Sequence, residues 1–200
     1  VMPFRTEARP PEFWKALLDR MAQSGEPVAF IPTFVDPAHA GKYAQFSAAT
    51  ARGITGDSTA GSAQRSFGRN TISQGYPAWM ASAAPQDSRA KYGVATEAEG
   101  SLSFTEALKA GIDGGASGLH IMTWNDYSEA TELQPSSVTR FAYYDIAAYY
   151  ISWFKTGSPP RIERDGFVGL HRRQLFRPGN RALGKPWRMH GKPRVDIVEM

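Results

Sequence analysis

The sequence predicts an α/β fold: part of a (β/α)8 barrel over residues 1–160, then a linker and the beginning of a β-sandwich-like module over 161–200. Apolar strand-like runs alternate with helical periods, the pattern of a parallel sheet with crossover helices. About four such units are present, where a closed barrel needs eight, so half a barrel is expected. The stretch Gly157-Ser158-Pro159-Pro160 breaks the alternation as a domain boundary does.

Phe13, Trp14, Leu17, Leu18 and Met21 recur at helical spacing from Pro11 onward, with Gly25 just past the end, which predicts an amphipathic helix over 11–21. Val28 to Val35 is apolar without alternation, as in a strand covered on both faces, although Pro32 interrupts it. A short helix is expected over 38–50, a strand over 53–55 ending in the Gly-rich loop 56–61, and an extended segment over 71–81 that includes Tyr76 and Trp79.

Ser103-Phe104-Thr105-Glu106 fits a capping box, with Leu102 before it and Gly114-Gly115 as the stop; a helix is expected between them. Gly118 to Trp124 reads as a buried strand, followed by a polar loop over 125–139 and a helix over about 140–155. That last helix is apolar or aromatic on nearly every face, so it is expected to be enclosed. Beyond Arg161 the chain is expected to open a β-rich module, ending in the strand-like Val195 to Met200.

Composition bounds the function. The chain has 200 residues, 42% of them hydrophobic, enough for a core and unlike a disordered segment. It has no Cys, which excludes disulfides and thiolate chemistry. Four His residues (39, 120, 171 and 190) lie scattered without paired-ligand spacing, so no dedicated zinc or other metal site is expected. The net charge of +4 owes much to Arg and Lys residues between 161 and 194 that Pro and Gly interrupt; no nucleic-acid recognition module is recognisable. No apolar run has the length of a membrane span, so no membrane partner is expected. The first residue is Val, as expected of a non-standard start or of a segment of something longer, so the lack of a leader says little about export.

Catalytic groups of a barrel sit in the loops after the strands. The loop after 118–124 holds Asp126, Glu129 and Glu132. Glycosidic hydrolysis needs one carboxyl group to protonate the leaving oxygen and another to activate water or attack the anomeric carbon. Asp126 and Glu129 fit this pair. Trp124 and Tyr127 offer flat apolar faces to sugar C–H groups, and Asn125 can bond hydroxyls. A polar loop with surface acids and one core Trp is the competing reading.

Trp124-Asn125-Asp126-Tyr127-Ser128-Glu129 resembles the Trp-Asn-Asp-Tyr-Gly-Glu motif of glycoside hydrolase family 71, the α-1,3-glucanases (mutanases), and of its bacterial relatives. Tyr144 through Gly157 resembles that family's helix after the motif, and 164–174 the segment entering its β-sandwich; Tyr76 to Met80 and Glu97 to Ser101 match more loosely. The resemblance implies the C-terminal half of a TIM barrel and an endo-acting, inverting hydrolase without cofactor. It also implies catalytic roles for Glu129 as acid and Asp126 as base. Further substrate contacts are expected at Trp124, Asn125, Tyr127, Trp79, Asp57 and Glu97. Ser128 stands where that motif has Gly, and Ala130 to Pro135 departs from its continuation. This variant resembles the loop of family 99 endo-α-mannosidases and mannanases, so an α-mannoside is the alternative substrate. A polysaccharide or oligosaccharide substrate implies an extracellular or periplasmic setting; the oligomeric state is left open.

Gly56-Asp57-Ser58 fits the start of an esterase motif, but the one Asp-x-x-His, Asp36 to His39, precedes Ser58 instead of following it. A turn, with Asp57 touching sugar, is the expectation. His120 and His171 are expected to be structural. A non-catalytic carbohydrate-binding protein on the same fold is the other class of function.

Overall fold

The computed structural model describes residues 2–46, 49–51, 59–89, 93–96 and 98–163, and five short strand segments beyond 163. Asp57, Glu97, Ser58 and His171 lie outside the described residues, as does the strand expected over 53–55.

A 3-10 turn (Thr6–Ala8) is followed by α1 (Pro11–Gln23), β1 (Thr33–Phe34), a second 3-10 helix (Pro37–Tyr43) and β2 (Ala49–Ala51). They are followed by α2 (Ala60–Ser73), β3 (Trp79–Ala83), β4 (Asp87–Arg89) and β5 (Val94–Thr96). Then come α3 (Leu102–Asp113), β6 (Gly118–Ile121) and α4 (Ala142–Thr156). The chain is mixed α/β, and β1, β2, β3 and β6 form a parallel four-stranded sheet in that order.

Several expectations move. Only Thr33 and Phe34 of the apolar run 28–35 pair as strand, because Pro32 has no N–H to give a ladder. The helix expected over 38–50 is a 3-10 turn followed by β2. The extended segment expected from Thr71 begins instead at Trp79, since α2 runs through Ser73. The helix α2 was hidden by Gly61 and Gly68, which weaken helix propensity. Their purpose is close approach: a Cβ on Gly68 would meet the Trp79 ring at 2.6 Å, and one on Gly61 would meet Glu106 at 3.0 Å. The capping box at 103–106 does not form, for α3 starts at Leu102 and Ser101 caps it without a side-chain hydrogen bond.

The sheet carries its helices on one face. Phe30, Phe34, Tyr43, Phe46, Phe67, Tyr76 and Trp79 form one core cluster, while Phe104, Leu108, Tyr143, Ile146 and Ala147 form a second. Leu119 of β6 packs against both, so this strand joins the two. Phe34 and Phe104 are fully buried, each contributing about 2–3 kcal/mol of transfer free energy.

In register across β3 and β6, Met80 pairs with Gly118, Ala81 with Leu119 and Ser82 with His120. Ala81 and Leu119 face the core, so Met80, Ser82 and His120 share the opposite face. All four residues of β6 are only partly buried, which corrects the expectation of a fully buried strand. The helix α4 is likewise not enclosed all round. Ala142, Tyr143, Ile146 and Ala147 form its buried stripe, whereas Tyr144 is exposed.

Beyond 163, β7 (Phe167–Leu170) pairs antiparallel with β11 (Asp196–Glu199), and β8 (Gly179–Asn180) pairs with β9 (Lys185–Pro186). The strand β10 (Arg188–His190) runs parallel to β5, which pairs on its other side with β4. Among the described residues no helix is long and apolar enough to cross a membrane.

Candidate active site

The candidate site is a pinched loop at the C-terminal end of β6. Chain leaving the strand is zipped to chain returning from the loop: Thr123 N–H donates to Thr131 O at 2.9 Å, Leu133 N–H to Thr123 O at 2.9 Å and Gln134 N–H to Trp124 O at 2.8 Å. The two threonine hydroxyls meet at 2.9 Å across the neck. Thr123 Oγ1 also accepts the Asp126 N–H at 2.9 Å.

Asp126 builds the tip. Its Oδ1 accepts from Ser128 N–H at 3.0 Å, Ser128 Oγ–H at 2.6 Å and Glu129 N–H at 3.1 Å. This is an Asx-type turn, in which a short acid replaces a missing backbone partner. Ser128 is therefore a hydroxyl donor to Asp126. Ala130 follows at φ 53°, which turns the chain back towards the neck.

Glu129 is held from a different strand. Its Oε1 lies 3.6 Å from Arg89 Nε, and its backbone O accepts from Ser88 N–H at 2.8 Å. Arg89 in turn donates through Nε to Asp87 Oδ1 at 2.7 Å and through Nη2 to Asp87 Oδ2. Asp87 and Arg89 lie two apart on β4, so both point to the same side of that strand. Reading the sequence missed this pair; the i, i+2 spacing of opposite charges was its only signal.

Glu132 is a second residue whose place the sequence does not reveal, since in a linear reading it is one more acid of a polar loop. It is 7% exposed, and its Oε2 has no hydrogen-bond partner. Burial and, secondarily, the charge of Asp126 push its carboxyl above the usual carboxylate range; bonding to its own backbone N–H opposes this. The loop thus contains one buried acid whose carboxyl is raised above its ordinary range, beside an acid that organises the tip.

Of the expected contacts, Trp124 and Tyr127 are each 54% exposed, and Asn125 is exposed with them. The structure brings these three together with Asp126 and Glu129 on one loop. Trp79 does not join them. It is buried against Phe67, Gly68 and Gly114, so its indole packs the core and is not a sugar platform. His120 sits on β6 beside Ser82, its pKa lowered by burial. A cleft lined by Ala38, Phe67, Asn70 and Gln74 lies on the α2 side and holds none of these residues. Among the described residues, no group of three or more His, Asp or Glu side chains could hold a metal ion.

The fold is similar to that of known carbohydrate enzymes. A structure of the GH99 endo-alpha-mannosidase from Bacteroides thetaiotaomicron matches with a TM-score of 0.53 and 14% identity, over 66% of this chain and 45% of that one. A second structure of a GH99 endo-alpha-mannosidase from that organism, in complex with BIS-TRIS-Propane, matches with a TM-score of 0.52 and 16% identity, over 64% of this chain and 47% of that one. The chain thus spans about half the length of these neighbours. No family model and no curated protein matches it.

Proposed function

We propose that this chain carries the catalytic loop of a glycoside hydrolase that cleaves an α-linked glycan with two carboxylates. One observation carries the proposal: at the C-terminal end of β6, a single pinned loop carries Asp126 and Glu129 together with exposed Trp124 and Tyr127. The fold of the neighbours supports the same class, and residues 1–160 then contribute part of a (β/α)8 barrel, with 161–200 leading into a β-sandwich-like module.

In this mechanism Asp126 takes a proton from water as it attacks the anomeric carbon, and Glu129 protonates the departing oxygen. The anomeric bond is inverted, which requires the carboxyl groups to stand about 6.5–9.5 Å apart with the water between them. Trp124 and Tyr127 stack on the sugar and Asn125 bonds its hydroxyls. The loop motif favours an α-1,3-glucan; the likeness to GH99 endo-alpha-mannosidases favours an α-mannoside as strongly. A polymeric substrate supports an extracellular or periplasmic setting.

The test is incubation of the natural-length protein with α-1,3-glucan and α-mannan, reading reducing-end release and the anomer first formed by proton NMR. Release from one polymer with inverted configuration supports the proposal and names the substrate. Binding of either polymer without release points instead to a non-catalytic carbohydrate-binding protein.

A further inference from the structure

The exposed aromatic surface does not stop at the carboxylate loop. The Trp124 ring lies 6.5 Å from that of Tyr144 at an interplanar angle of 68°, and Tyr144 lies 6.4 Å from Phe141 at 81°. Tyr144 is 44% and Phe141 60% exposed, although both belong to the helix expected to be enclosed. The neighbouring Tyr143 shows the contrast: it is buried, and its hydroxyl donates to Gly100 O at 3.1 Å. The first turn of α4 thus commits one face to the core and leaves a row of rings outside it.

The backbone that presents Phe141 is fixed. Ser136 and Arg140 exchange two backbone hydrogen bonds, at 2.9 and 3.3 Å. The Ser136 hydroxyl oxygen accepts from Val138 N–H at 3.2 Å and from Thr139 N–H at 3.0 Å. Arg140 sits at φ 52°, a left-handed conformation that a non-glycine residue holds only where its surroundings impose it. Phe141 follows directly and is held out into solvent.

A row of three exposed rings is an apolar surface that calls for a ligand. Two features decide which. The row begins at Trp124, two positions before Asp126, so whatever lies on it continues from the candidate site. Asn125, Arg140 and Asp145 are exposed beside the rings. A dry protein interface would bury these polar groups at a cost. A sugar chain instead offers C–H faces to the rings and hydroxyls to the amide, guanidinium and carboxylate.

We propose that Trp124, Tyr144 and Phe141 form an extended subsite for a neutral, α-linked glycan chain that runs from the carboxylate loop along the start of α4. This rests on the glycoside hydrolase proposal and assigns its substrate a length: several units beyond the bond cleaved.

The test is electrophoresis of the natural-length protein through gels containing α-mannan or a soluble, uncharged glucan with α-1,3 linkages, with Phe141→Ala and Tyr144→Ala compared with the parent. Each substitution removes an exposed ring, so thermal unfolding is expected to stay unchanged. Each is expected to weaken apparent polymer affinity about tenfold, the loss of a stacking contact of ordinary strength, with a smaller loss for an α-linked disaccharide competitor. Hydrolysis combined with undiminished retardation in both variants would overturn the subsite and leave the hydrolase standing. Retardation lost in both variants, with no hydrolysis of any glycan, would do the reverse. No retardation of the parent, or self-association of the parent that either variant abolishes in sedimentation, also overturns the subsite; the latter makes the row a contact between copies.

Discussion

The Arg89 Nε atom lies 3.6 Å from Glu129 Oε1, and the same guanidinium is forked onto Asp87. The candidate acid is therefore held by a strand, β4, that precedes it by two further strands and one helix. The Asp87 carboxylate takes the Nε–H and holds the guanidinium in place, so its charge stands beside Glu129 as an ion pair, an arrangement that a lysine, with no planar fork, cannot reproduce.

Replacing Arg89 should loosen Glu129 without emptying the core. Steady-state kinetics of Arg89→Ala should show kcat lowered by about tenfold to a hundredfold, the scale of misplacing a catalytic group by an ångström. KM should change less. Arg89→Lys should recover little of the loss.

Glu132 makes stability depend on pH. Its folded carboxyl is pushed up by burial first and by Asp126 second, so the folded chain holds a proton that the unfolded chain has already released. Stability therefore falls as pH rises from the ordinary carboxylate range through the raised folded value, and is flat above it. Glu132→Gln, permanently neutral, should escape this fall. Its melting temperature relative to the parent should climb across that window. A constant difference at all pH values would contradict the assignment.

Gly111 allows α3 to lie against β3. A Cβ added there would stand 2.3 Å from Ala81 Cβ, so one of the two elements must shift. Gly111→Ala gains about 0.5–1 kcal/mol of helix propensity but costs about 1–3 kcal/mol or more in overpacking. The net effect should be destabilising by about 1–2 kcal/mol, read by urea denaturation.

Asp126 has two duties that substitutions can separate. Asparagine keeps the Oδ1 that accepts from Ser128 and Glu129, while alanine removes it. Asp126→Ala should lose about 1 kcal/mol of stability, as at a comparable capping position; Asp126→Asn should lose little. Both should be inactive if the carboxylate is the base.

Much of this was legible in the sequence where the signal is local. The helix over 102–113, the strand that begins at Gly118 and the loop acids all follow from periodicity and position. What the sequence concealed depends on distant packing. Trp79 looks like a sugar platform in a linear reading, yet the small surfaces of Gly68 and Gly114 close over it. Ser103 satisfies a capping pattern but is buried, because the register of α3 follows the core and not the cap. Tyr144 lies in an apolar helix, and Phe141 caps its start, and the open side of that helix appears only once the buried stripe is placed. The Arg89–Glu129 pair joins two segments that no spacing rule connects.

The most direct measurement is the rate of reducing-end release from α-mannan and α-1,3-glucan by the natural-length protein, its Asp126→Asn variant and its Glu129→Gln variant, all confirmed as folded by thermal unfolding. The account predicts release from one polymer that falls by about a hundredfold or more in each variant, as loss of a positioned acid or base does. Release that neither substitution diminishes would contradict it.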